Sequence, residues 1–175
     1  VTERQDNISI GSDRENQLNI GDWIKGVAGQ ITIPNQPAFL VNKGGTDQDD
    51  FAVDSDVTVT FGTEVFDQNG DFASNTFTAP VTGKYQLQTS IRSDNMDSAA
   101  AYYVIVIKTS NRNYASIGDP DFGQDSVYHT LQISVLADMD ASDTAYVYIA
   151  QGGGSAQTDI TGDVAYTYFS GFLAC

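Results

Sequence analysis

The sequence predicts an all-β fold, and three observations carry the prediction. Nine Phe, nine Tyr and sixteen Gly stand beside only four Pro, a composition of strands and turns. From Gln36 onward, apolar segments recur about every ten to fifteen residues. Several of them alternate apolar and polar residues strictly, which suits a strand buried on one face. With 41% hydrophobic residues and 18% charged ones in 175, the chain has enough apolar mass to bury a core.

The elements follow in order. Residues 1–35 hold three-residue apolar bursts, Ile8-Ser9-Ile10, Leu18-Asn19-Ile20 and Ile31-Thr32-Ile33, separated by glycines and polar residues. They read as a stem of short strands in which Gly21, Gly26 and Gly29 turn the chain, with a flexible linker as the alternative. Trp23 is its one large side chain, an anchor in a thin stem or an exposed sugar platform. Phe39 and Val41 open the next region, and Val57, Val59 and Phe61 alternate after them. Asn69-Gly70 is a hairpin-turn signal. Pro80 and Gly83 turn the chain into a strand where Tyr85, Leu87, Thr89 and Ile91 alternate with polar residues. Val127, His129, Leu131, Ile133 and Val135 do the same.

Three segments do not alternate: residues 102–107 (YYVIVI), 145–150 (AYVYIA) and 166–173 (YTYFSGFL). A strand in a two-sheet sandwich needs one apolar face. The second face predicts a partner subunit, and Tyr103, Ile105, Tyr146, Tyr148, Tyr168 and Phe172 are assigned to that contact. The Ala-rich stretch Ser98–Ala101 reads as a loop or a single turn.

Net charge is −15, from 23 acids against eight bases. That sign opposes phosphate backbones and excludes nucleic acid as a partner class. No apolar run reaches the length of a membrane span, so membrane insertion is not expected. The single cysteine, Cys175, permits no intrachain disulfide. A start at Val1 rather than Met suggests a segment of a longer protein.

Chemistry is sparse. His129, the one histidine, falls between Val127 and Leu131 on an apolar face, where a satisfied core or interface role outweighs a catalytic or zinc one. Gly152-Gly153-Gly154 lacks a following P-loop lysine and reads as a turn. No catalytic residues are assigned and no cofactor is required. Calcium is the most plausible ion, because Asp119, Asp121 and Asp125 lie within seven residues and calcium takes oxygen ligands from such loops. Simple solvation of those acids is the competing reading.

Ala38-Phe39, then Phe77-Thr78-Ala79-Pro80-Val81-Thr82-Gly83-Lys84-Tyr85, then Phe169-Ser170-Gly171-Phe172-Leu173 occur in order. In these motifs, residues 36–174 resemble the C1q-like globular domain of the C1q/tumour-necrosis-factor superfamily. The resemblance implies a ten-stranded antiparallel jelly-roll sandwich, residues 36–175, that forms a tight homotrimer. It also implies loop calcium near the trimer apex in some members. The stem, residues 15–33 above all, resembles segments of bacteriophage tail fibres and tailspikes. No Gly-X-Y repeat is present, unlike many animal members.

Together these imply a trimeric knob on a trimeric stem whose thin core would be Leu18, Ile20, Trp23, Ile31 and Ile33. The expected role is contact with a host-surface glycan or protein receptor from a virion fibre or spike. Other virion proteins would be joined through upstream sequence. Asp94, Asn95, Tyr114 and Phe122, in two connections, are the expected ligand contacts. A capsid-surface structural protein and an extracellular lectin-like module are the alternatives.

Overall fold

The computed structural model describes residues 8–10, 17–20, 24–27 and 30–175. The chain divides into two compact units, Val1–Gln36 and Pro37–Cys175. Every described element is a strand, a turn or a bend.

The first unit is one antiparallel sheet of four short strands: β1 (Ile8–Ile10), β2 (Gln17–Ile20), β3 (Ile24–Val27) and β4 (Gln30–Thr32), in that order. Each burst therefore finds its hydrogen-bond partner within the same chain. The strand at Ile24–Val27 is invisible to alternation because a glycine sits inside it. Gly26 pairs with Leu18 on one side and Ile31 on the other, so it is a strand residue and not a turn. Ile31 is 71% and Ile33 47% exposed. Trp23 and the side chains of Leu18 and Ile20 lie outside the described residues.

The second unit is a sandwich of two six-stranded sheets. Its strands are β5 (Ala38–Asn42), β6 (Val57–Thr58), β7 (Thr63–Gln68), β8 (Phe72–Ala73), β9 (Thr76–Thr78), β10 (Gly83–Met96), β11 (Tyr102–Thr109), β12 (Asn113–Gly118), β13 (Ser126–Met139), β14 (Thr144–Gly152), β15 (Asp159–Ile160) and β16 (Tyr168–Leu173). One sheet runs β13-β10-β16-β5-β7, with β15 added on β10; the other runs β12-β11-β14-β9-β8, with β6 added on β14. The strand total exceeds the expected ten because two-residue pairings such as β6, β8 and β15 are too short to leave a periodic signal.

Between the sheets the core is aromatic. Phe39 stacks on Phe77 at 4.7 Å and on Phe72 at 5.2 Å, and meets Phe169 edge-on at 5.0 Å. Gly171 is what allows this: a Cβ there would lie 2.6 Å from Leu87 and 2.9 Å from the Phe39 ring. Tyr85 is fully buried, and its hydroxyl donates to the Val81 carbonyl at 2.8 Å and pins the Pro80–Gly83 turn.

Asn69-Gly70 closes no hairpin. Both residues have positive φ, 79° and 73°, but β7 belongs to one sheet and β8 to the other. The turn carries the chain across the sandwich. The Asp67 carboxylate holds it, accepting the backbone N–H of Asp71 at 3.0 Å and of Phe72 at 2.9 Å. The hairpin lies just beyond, at Ser74 and Asn75 (φ 50° and 63°), between Ala73 and Thr76.

That turn stores an electrostatic penalty. Asp71 Oδ2 is buried with no hydrogen-bond partner among the described residues. Burial raises the Asp71 carboxyl above 3.8, and the Asp67 charge raises it further, against a hydrogen bond from Asn69. The folded state thus favours the protonated acid, and stability falls as pH rises from 3.8 through the raised folded value. Asp71→Asn should raise the unfolding free energy at pH 7 by up to about 1 kcal/mol. The gain should vanish below pH 3.8. Paired urea melts at the two pH values check both signs.

Candidate functional site

The outward face of the β13-β10-β16-β5-β7 sheet is open. Cross-strand register sets its residues in rows. Leu136, Gln86, Phe172 and Ala38 form one row. The next contains Ser134, Gln88, Ser170, Leu40 and Phe66. These rows border a groove of about 620 Å³ that also touches Val164 and Tyr168. Phe172 is 48%, Phe66 50% and Leu136 54% exposed, an apolar patch of the kind that marks an interface.

Exposed apolar residues also stand on the edge strands of the two sheets. There β12 and β13, the free edge strands of the two sheets, run in contact. Ile117 on β12 and Val127 on β13 are among the most exposed apolar residues of the domain, at 67% and 60%.

Near the far end of the open face, Arg92 is clamped. Its Nε and an Nη donate to the two carboxylate oxygens of Asp94 at 2.8 and 2.9 Å. The guanidinium lies 4.2 Å from the centre of the Tyr128 ring and 5.1 Å from that of Tyr166. Arg92 and Asp94 are two residues apart on one strand and so share a face. The sequence carries that signal; Tyr128 enters only through register, opposite Asp94.

At this end three connections are tied together by buried polar groups. The Asp97 N–H donates to the Tyr103 hydroxyl at 2.9 Å, which meets Thr158 Oγ1 at 2.7 Å. Thr158 in turn donates to Gln151 Oε1 at 3.2 Å. Gln151 Nε2 donates to the carbonyls of Gly153 and Ser155, both at 2.9 Å. Burial raises the Tyr103 phenol above 10.0, opposed by its hydrogen bond to Thr158. Since β5 starts at the opposite end, beside Leu173 (Leu173 N–H to Pro37 carbonyl, 3.0 Å), these loops lie at the end of the domain away from Pro37.

The expected interface residues divide three ways. Tyr168 and Phe172 lie on the open face, at the groove. Tyr103 and Ile105 do not: both are fully buried in the protomer's own core. In a strand apolar on both faces, periodicity cannot say which parity points inward, and here the inward set is Tyr103, Ile105 and Ile107. Tyr146 and Tyr148 belong to the other sheet. Tyr148 is cross-strand neighbour to Val106, which is 3% exposed. Tyr146 sits opposite Lys108, whose Nζ is 5.9 Å from its ring. The second apolar face of β11 and β14 is thus largely covered by this chain's own tyrosines, and a partner is not needed there. Phe66, Leu136 and Ile117 are exposed apolar residues that alternation did not single out, with Leu40 half-buried among them; Val127, which alternation placed on the buried face of its strand, is 60% exposed.

The expected ligand contacts also separate. Asp94 is spent on Arg92. Asn95, exposed with φ 57°, donates to Asp159 Oδ2 at 3.0 Å. Phe122 is 50% exposed and its ring is 5.5 Å from that of His129. Tyr114 is half-buried on β12, near the opposite end, and packs against the core.

The three loop acids do not converge. Asp125 Oδ1 accepts from Ser98 N and Oγ at 2.9 and 2.8 Å, and Oδ2 from Gln157 at 3.0 Å. Those bonds, the Ser98 backbone first, lower its carboxyl below 3.8. Asp119 Oδ1 instead accepts the Asp121 N–H at 3.0 Å. Among the described residues no three acid, histidine or cysteine side chains are grouped to hold a metal. Asp119 is turned to its own loop by the Asp121 N–H, while Asp125 is held by Ser98 and Gln157, which are distant in sequence.

Residues 38–174 match the family model for the C1q domain. Among solved structures, the chain is similar to the globular domain of the zebrafish complement 1qA protein, at 18% identity and a TM-score of 0.57, over 80% of this chain and 98% of that one. It is similar to murine APRIL at 13% identity and a TM-score of 0.55, over 79% and 98%. No curated protein matches.

Proposed function

The chain belongs to the C1q domain family, and from that premise we propose that it is a non-enzymatic, homotrimeric binding head of a bacteriophage fibre or spike. It contacts a host-surface glycan or protein from the virion exterior. The observation that carries the reading is that exposed apolar residues stand in two unlike places. One is the open face around Phe172, Phe66 and Leu136; the other is the edge strands, at Ile117 and Val127. Two different surfaces on one chain make a heterologous contact, which closes into a ring when the rotation is right. Three copies then give three sets of the loops away from Pro37 and gain from avidity. The Gly-punctuated stem and the net charge of −15 support an exposed, soluble fibre end. His129 lying against Phe122 supports a structural rather than a catalytic histidine.

The internal satisfaction of those loops favours a second reading, a virion structural protein without a ligand. One experiment separates the two. The assembly is sized by native mass spectrometry, and binding to host cells is compared for wild type, Asn95→Ala and Phe122→Ala. The binding head predicts a trimer whose cell retention drops about tenfold in at least one variant. A trimer that binds cells weakly and equally in all three forms supports the structural role.

A further inference from the structure

Two successive rows of the open face carry amides and hydroxyls between apolar neighbours. Most are already paired within the protomer. Gln86 Nε2 donates to Ser134 Oγ at 2.9 Å, and Gln132 Nε2 to Ser90 Oγ at 3.3 Å. Gln88 differs. It lies on β10 between Ser134 and Ser170, borders the apolar groove, and is exposed in the single chain. Among the described residues its side-chain amide has no hydrogen-bond partner. In the row below stands Phe172, and along its own row lie Leu40 and Phe66. A solvated amide amid such residues is unremarkable while water reaches it. Once a second copy covers the groove, that amide loses its water, and leaving it unpaired would weaken the contact.

We infer that Gln88 pairs across subunits, with amide or hydroxyl groups of the neighbouring copies, and that this polar layer fixes the register and the number of subunits. The inference rests on the trimer reading above. The occupant is a second copy of this chain, because the same molecule presents exposed apolar residues, Ile117 and Val127, on its two edge strands. The physical logic is that of a single buried amide in a coiled-coil seam. It adds little stability, yet it penalises every arrangement that leaves it unpaired. An apolar face alone would tolerate sliding along the strands and alternative stoichiometries.

The test compares wild type with Gln88→Leu and Gln88→Glu, each first checked for an unchanged far-ultraviolet spectrum. Because Gln88 is exposed in the protomer, both variants should fold. Gln88→Leu should still associate but lose the single trimeric species, giving mixed stoichiometries by native mass spectrometry. Gln88→Glu places like charges in one layer. It should raise the concentration for half-dissociation at pH 7 at least about tenfold. Association should return as the pH falls below the usual glutamate value of about 4.3. A wild-type trimer whose stoichiometry and dissociation are unaffected by either substitution overturns the polar layer and leaves the trimer intact. A monomeric wild type at micromolar concentration overturns both.

Discussion

Phe39→Ala is expected to cost about 3–5 kcal/mol of unfolding free energy. Phe39 is 1% exposed, and its ring touches three others, Phe72, Phe77 and Phe169, from both sheets. Truncation removes the buried ring and opens a cavity that its neighbours cannot fill. Phe169 is held on the central strand β16 and Phe77 on β9, hydrogen-bonded in opposite sheets. The measurement is a denaturant melt at fixed protein concentration, since assembly would add a mass-action contribution. A loss below about 1.5 kcal/mol would mean that the aromatic cluster repacks freely, contrary to interiors packed near crystal density.

The second large effect concerns association and not folding. Phe172→Glu should leave a folded protomer and abolish the proposed trimer. Phe172 is 48% exposed in the single chain, so its replacement takes little from the protomer's own core. In the assembled state each contact would lose a phenyl group and bury an unpaired carboxylate. One-sided burial of a charge costs about 3–5 kcal/mol, and every contact of a ring carries the change. Monomer is therefore the expected species at micromolar concentration by sedimentation, with an unaltered far-ultraviolet spectrum. Retention of the trimer would move the interface off this face. Tyr148→Glu, on the opposite sheet, supplies the contrast: it should leave assembly intact while weakening the protomer, because Tyr148 is only 9% exposed.

The two substitutions also mark what could be read from the sequence. Strands that alternate, such as Tyr85–Ile91, gave both their existence and their inward face, because only one parity is apolar. The Phe-Thr-Ala-Pro segment and the Gly171 strand were legible through their resemblance to a known family, not through alternation. Tyr103 and Ile105 were misassigned because in YYVIVI both parities are apolar, and only the position of the second sheet decides between them. Asn69-Gly70 signalled a turn correctly, but which strands it joins depends on partners far along the chain. The open face was half legible. Tyr168 and Phe172 advertised a second apolar side, whereas Leu40, Phe66 and Leu136 became part of it only when register placed them in rows. The loop acids were the least legible, since Asp125 is directed by Ser98 and Gln157, 27 and 32 positions away.

The place of β16 in its sheet has a consequence for biosynthesis. It is the last strand in sequence, Tyr168–Leu173, yet it lies between β10 and β5. Until those six residues have emerged from the ribosome, β5 has no neighbour on that flank and the aromatic core lacks Phe169. Chains fold as units during synthesis when their partners are already out, and distant strand pairing is slow. This domain therefore completes late, and a nascent chain broken off before Tyr168 lacks both its central strand and Phe172 from the open face. An unfinished domain therefore leaves β10 and β5 without the strand that joins them.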